Sequence, residues 1–317
     1  MTRKELAVFL LLAALCTIVA TASPQFLSAA NLQNLARLVG MYGIFSIGVG
    51  IVIITGGIDL SVGSICALLG VLLSMMLVEW GWPASAALTA VVLLGGFLGA
   101  AHGVLIARLG LQPFIVTLCG LLLYRGAARY IAEDSTKGFG TVEGFEWVRA
   151  LASGSVGGVP MPFVVMCVVA AMAWVLLHRS VYGRHLFAVG HNVEATRYSG
   201  VDTRAVIAWA YVLSGILAAV SAILIAFYTN SISPASHGNF YELYAIAAAV
   251  VGGCSLRGGE GSVLGIVMGA ALLQVLRNLV NLLDIPGSLD FAVMGAVILI
   301  GAMADQLFGR RLRRSEG

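Results

Sequence analysis

The feature that most constrains this chain is a series of apolar runs near twenty residues long and almost free of charge, such as Ala84–Ile106 and Val263–Leu283. About twenty apolar residues in a helix match a hydrocarbon core roughly 30 Å thick. Inside lipid, only helices and closed barrels satisfy their own backbone polar groups. Barrel strands would alternate apolar and polar residues over about ten positions, and these runs are continuous. Charged residues make up 10% of the 317 and hydrophobic ones 60%, against about a quarter charged in a soluble domain. The sequence predicts an all-α polytopic membrane protein.

Ten spans are expected, at about Leu6–Ala22, Leu38–Ile54, Leu60–Val78, Ala84–Ile106, Pro113–Ile131, Pro162–Leu177, Ala205–Tyr228, Tyr244–Val251, Val263–Leu283 and Phe291–Phe308. The first resembles a secretory signal, but its apolar core exceeds the usual 7–15 residues or so, so it is read as an uncleaved helix. With the N-terminus inside, the inner side holds twelve basic residues and the outer side six. That asymmetry is the one expected of a cytoplasmic face. An even span count returns the C-terminal RRLRR to the same side. The whole chain, 1–317, reads as one membrane domain with an outer loop at 132–161 and a basic inner loop at 178–204.

Several chemistries find no support. The chain has no GxxxxGK[ST] phosphate loop, no HExxH and no GxSxG elbow. Its five histidines lack metal-ligand spacing. Its five cysteines lie in or beside apolar runs and read as small buried hydrophobes. No cofactor, no metal, no catalytic group and no nucleic-acid partner is expected.

Polar residues that interrupt the apolar runs carry the functional signal. In TGGIDLSVGSI at 55–65, Gly56 and Gly57 break the pattern ahead of Asp59 and Ser61. One reading is an interfacial turn in which Asp59 touches water and Asp59 or Ser61 caps the next helix. The other is a helix broken within the membrane, its free amides facing a path. A similar glycine-rich stretch, GGCSLRGGEGSVLGIVMG, follows at 252–269. The inner loop contains GHNVEATRYSGVD, in which Asn192 is a good helix start and Gly200 a good stop. The two-turn helix between them, Val193–Ser199, is too short to persist alone. It is either a solvated turn or an element that docks on a partner. Gln274, Asn278 and Asn281 share one helical face; they line a polar path or bond between helices.

Three stretches together, TGGIDLSVGS, AVGHNVEATRYSGV and VVGGCSLRGGEGSVLG, resemble the permeases of bacterial ABC sugar importers of the ribose, xylose and galactofuranose type. The resemblance runs over nearly the whole chain. It implies a fold similar to the many-helix permeases of vitamin B12-type importers, set in the bacterial inner membrane; the basic asymmetry and the even span count put both termini on the cytoplasmic side. It implies a second permease subunit, identical or paralogous, two separate cytoplasmic ATPase subunits and an extracytoplasmic sugar-binding protein. The chain itself would form the monosaccharide path and would not be an enzyme. The family's coupling segment falls on Gly190–Val201, where Asn192, Ala195, Ser199 and Gly200 match its pattern. Thr196 stands where a second alanine is common, and His191 where glycine is. Glu194 and Arg197 would fix orientation at the rim of the ATPase groove. An ion-coupled secondary transporter or channel is the alternative; it needs deep carboxylates, for which Asp59 and Asp305 are the candidates.

Overall fold

The computed structural model describes residues 3–140 and 144–283, with isolated positions at 289, 292, 295, 296 and 299. Twelve α-helices run through the described residues. They are α1 (Arg3–Ala22), α2 (Ala29–Ile54), α3 (Val62–Ser74), α4 (Ala84–Ala107), α5 (Pro113–Ile131), α6 (Glu146–Ser153), α7 (Met161–Arg179), α8 (Val181–His191), α9 (Val193–Tyr198), α10 (Thr203–Thr229), α11 (Tyr241–Val251) and α12 (Val263–Leu282). A π turn, Met75–Glu79, extends α3.

Eight of these segments are long and apolar enough to cross a membrane, and α11 is a shorter apolar helix. Seven predicted spans and the ninth therefore have long helices. The eighth is the eleven-residue α11, and the tenth, apart from those isolated positions, lies outside the described residues together with Asp305 and RRLRR. The second span starts nine residues earlier than expected, because Ser28 Oγ accepts from Asn31 N at 3.3 Å and caps α2 there. The inner loop is also more ordered than its sequence suggested. Ser180 Oγ accepts from Gly183 N at 3.0 Å and starts α8, which sequence reading missed.

Burial separates central from peripheral helices. The apolar stretches of α2, α3 and α10 are mostly buried, whereas α1, α5 and α7 show most of theirs outward. In lipid, outward apolar side chains meet a solvent as apolar as themselves, so close packing must hold the helices together. α4 and α10 meet through Gly95, Gly99 and Gly103, one per turn along α4. A Cβ on Gly95 would lie 2.6 Å from Gly215 O, and one on Gly103 would lie 2.7 Å from Ala208 Cα.

The side opposite the inner loop carries short extended pieces. β1 (Lys137–Gly138), β2 (Ser155–Val156), β3 (Val159–Pro160) and β4 (Ser231–Ile232) form two antiparallel pairs, β1 with β4 and β2 with β3. The β1–β4 pair ties the 132–161 connection to the segment that follows α10. From the last turn of α5, Arg129 Nε donates to Asp134 Oδ1 at 2.5 Å, which holds that carboxyl below the usual range.

Candidate functional site

The three glycine-bearing stretches, far apart in sequence, converge in space. At the end of α2, Gly56 turns the chain with φ +81°, a backbone conformation that glycine adopts without the steric penalty of a Cβ. Gly259 N donates to Ile54 O at 2.9 Å, tying the 252–262 turn to that helix end. A Cβ on Gly258 would lie 2.7 Å from Gly190 O and 2.8 Å from Gly56 N. A Cβ on Gly190 would collide with Ile54 O and Gly259 N. Lys4 Nζ meets Glu260 Oε2 at 2.7 Å and brings the start of α1 to the same side. The two similar glycine-rich stretches thus face each other across Gly190.

Gly57 is constrained differently from Gly56. Its φ is not positive, but a Cβ there would stand 2.6 Å from Tyr211 Oη. After this turn the chain enters the protein interior. Tyr211 Oη donates to Ile58 O at 3.2 Å and Thr117 Oγ1 to the same oxygen at 3.4 Å.

Asp59 is 1% exposed, so the reading that sets it in water does not hold. Its Oδ1 accepts from Ser61 N at 3.0 Å and from Ser61 Oγ at 2.6 Å. Its Oδ2 accepts from Ser214 Oγ at 2.9 Å. Ser61 precedes α3 but its own side chain makes no capping bond; Asp59 accepts the free amide instead. Ser61 Oγ lies 3.4 Å from His102 Nδ1, and His102 Nε2 lies 2.9 Å from Tyr124 Oη. The chain Ser214–Asp59–Ser61–His102–Tyr124 therefore joins α10, the start of α3, α4 and α5. Buried polar groups gain from such mutual satisfaction because leaving any one unpaired is costly.

α9 presents the second feature. Asn192 Oδ1 accepts from Ala195 N at 2.9 Å, which is the predicted cap. Gly200 ends the helix at φ +85°. The helix closes at Tyr198, with Ser199 as its C-cap. Thr196 is buried, and its Oγ1 donates to Asn192 O at 2.7 Å. Asn192, Val193, Glu194, Ala195, Arg197, Tyr198, Ser199 and Gly200 are all exposed. One residue anchors α9 inward, and the rest form a free face next to the Gly190 junction.

The late polar residues do not come together at one cavity. Asn278 and Asn31 exchange side-chain hydrogen bonds at 2.7 and 3.0 Å, bridging α12 and α2. Gln274 is buried, and its Oε1 has no protein partner. Asn281 is exposed. A cavity of about 300 Å³ instead opens between α5 and the segment before α11, with Arg125 and Glu242 among its lining residues. Sequence reading passed over both. The available signal was an arginine inside the apolar run of α5.

Eight membrane-length helices among the described residues define the class as a multi-pass membrane protein. The chain belongs to the family described as branched-chain amino acid transport system / permease component, which matches residues 31–302. It is 38% identical to the ribose import permease protein RbsC of Escherichia coli K12, over 96% of this chain and 94% of the relative. It is 35% identical to RbsC of Haemophilus influenzae, over 96% and 93%. It is 30% identical to the xylose transport system permease protein XylH of Escherichia coli K12, over 97% and 93%. No solved structure matches it.

Proposed function

We propose that this chain is a permease subunit of an ATP-driven importer and forms the path by which a monosaccharide enters the cytoplasm. The structural observation that carries the reading is α9: a capped helix of six residues with an exposed face, seated beside a glycine junction that reaches the ends of α2 and α11. A helix this short gains its stability from tertiary contacts, and docking on a partner supplies them. The relatives' names favour a sugar as cargo, being ribose, allose and xylose permeases. ATP hydrolysis then belongs to separate cytoplasmic subunits that receive α9. A sugar-binding protein delivers cargo on the opposite side, and a second permease subunit completes the path through the lipid bilayer.

The reading includes a bacterial inner-membrane location with α9, both glycine turns and both chain ends on the cytoplasmic side. The basic bias of the inner connections supports that orientation. It also includes a ten-span fold similar to vitamin B12-type importer permeases, supported by the eight long helices and the short α11. In this scheme Asn192, Thr196 and Gly200 shape the coupling helix, and Glu194, Ala195, Arg197 and Ser199 meet the ATPase. Gly56, Gly57, Asp59 and Ser61 form a structural turn. Asn278 supports helix packing.

A second reading has a specific basis: the family description names branched-chain amino acids. The test is reconstitution in proteoliposomes with the partner ATPase and binding protein, comparing ATP-dependent uptake of ribose, xylose, allose and leucine. Uptake of a sugar is expected. Uptake of leucine alone would select the second reading, and uptake driven by an ion gradient without ATP would replace both.

A further inference from the structure

The cavity between α5 and the segment leading into α11 is lined by Arg125, Arg129, Asn239 and Glu242 together with the apolar Leu121, Ala235 and Phe240. Arg125 lies twelve residues into α5, about 18 Å along the helix axis. A charged residue so far inside an apolar span is expensive and marks a polar path or an internal partner. Arg125 has part of its donor set occupied: Nη1 donates to Pro234 O at 2.8 Å and to His237 O at 2.6 Å. It thereby fixes a stretch of non-helical backbone. Such backbone at membrane depth is tolerated where it is buried in protein or lines a water-filled space.

That stretch runs deep. Ile232 packs on Gly70, and Gly238 meets Gly63, one residue into α3. The chain after α10 therefore turns back into the protein and begins α11 level with the start of α3. Phe240 holds a left-handed backbone at φ +64° immediately before α11. This conformation is strained for a bulky residue and is found where surrounding structure enforces it. Phe240 is 46% exposed, while Glu242, in the first turn of α11, is 7% exposed. Asn239 is exposed, and its Nδ2 donates to Ala235 O at 2.9 Å.

We propose that this cavity is a sugar subsite at the outer half of the path, with Glu242 accepting from sugar hydroxyls, Arg125 and Asn239 donating to them, and Phe240 covering an apolar face of the ring. Hydroxyls both donate and accept, so a carboxylate, a guanidinium and an amide set side by side satisfy several at once. The volume is at the lower end of the roughly 300–1,000 Å³ range of small-molecule sites, which suits a single pentose or hexose. The cavity contains none of Gln274, Asn278 or Asn281.

The proposal rests on the sugar-importer reading, and the test separates the two. The full complex with its ATPase and binding protein is reconstituted as wild type, Asn239→Ala and Glu242→Gln. The readouts are the concentration dependence of ribose, xylose and allose uptake, and ATP hydrolysis stimulated by sugar-loaded binding protein. Glu242→Gln is expected to lose about tenfold in uptake efficiency, the weight of one hydrogen bond to a charged group, and Asn239→Ala about threefold to tenfold, the weight of one neutral bond. Stimulated hydrolysis should persist, because neither variant touches α9. Glu242→Gln is further expected to change the relative uptake of the three sugars. Wild-type uptake with unaltered kinetics in Asn239→Ala overturns the subsite and leaves the importer reading standing, and this exposed position decides alone should Glu242→Gln not assemble. A wild-type complex that takes up none of the three sugars overturns the importer reading itself.

Discussion

Ser214 Oγ donates to Asp59 Oδ2 at 2.9 Å across 155 residues of sequence. The bond fixes the start of α3 against α10 at a point eleven residues inside α10, about 16 Å from its beginning. The carboxylate at this junction accepts from an amide and two hydroxyls. Its placement is that of a fastener between helices, and the Arg125–Glu242 cavity is lined by other residues.

Asp59 is therefore expected to tolerate asparagine better than alanine. Asparagine keeps one oxygen for the Ser61 amide and offers Ser214 a donor in place of an acceptor. Alanine strands the Ser61 and Ser214 hydroxyls, at about 1–3 kcal/mol for each buried unpaired group. Yield and thermal midpoint of the detergent-solubilised complex should rank wild type, then Asn, then Ala. An Asp59→Asn complex that assembles fully yet transports nothing would contradict the structural role.

Gly190 and Gly200 bracket α9 and are expected to differ sharply. Alanine at Gly190 collides with the backbone of Ile54 and Gly259, which has no rotamer to yield. Alanine at Gly200 meets nothing within 4 Å and bears only its positive φ, at about 1–2 kcal/mol. Membrane accumulation of Gly190→Ala should fall severely while Gly200→Ala stays near wild type. Equal yields would show that the three glycine stretches do not pack as described.

The Lys4–Glu260 contact offers a test of sidedness. Both side chains are about half exposed, at 50% and 54%, so the ion pair contributes at most about 1 kcal/mol. Replacing either partner should leave stability nearly unchanged. A maleimide confined to the cytoplasmic side should label single cysteines placed at Lys4 and at Glu260, both half exposed, and an Asp202→Cys variant. Labelling of Asp202→Cys only from outside would invert the proposed orientation.

Much of this architecture could be read from sequence because lipid imposes a simple rule of length and apolarity. The long helices, the cap at Asn192 and the stop at Gly200 all follow from local chemistry. What could not be read was which distant groups meet. Nothing local tells that Ser214 satisfies Asp59, or that Gly190 wedges between two glycine turns. The depth of Asp59 escaped for the same reason: the turn looks interfacial until Tyr211 and Thr117 are seen to hold Ile58 O inside the bundle. The start of α2 at Ala29 was hidden because polar residues in ANLQN interrupt its apolar pattern. The Arg125–Glu242 cavity needed a segment with no regular periodicity to fold back against α5.

The last prediction concerns the exposed face of α9. Ala195 is solvent-exposed, one residue before the buried Thr196, so its methyl group allows close approach by a partner backbone. A glutamate there extends a charge into the contact, and a charge desolvated without a partner is costly. Arg197 lies on the same short helix, and its guanidinium sits 5.8 Å from the Tyr198 ring centroid; an isolated rim charge is worth little. Ala195→Glu is expected to abolish sugar-stimulated ATP hydrolysis and uptake while membrane insertion survives. Arg197→Ala should reduce them only a few-fold. Truncating Thr196 to alanine removes only a side-chain bond to Asn192 O, which the Thr196 amide still occupies, and alanine is the better helix former, so coupling near wild type is expected. The measurement is uptake and stimulated hydrolysis in reconstituted complexes, with co-purification of the ATPase as the control. Normal coupling and normal co-purification of Ala195→Glu would move the ATPase contact elsewhere on the inner face.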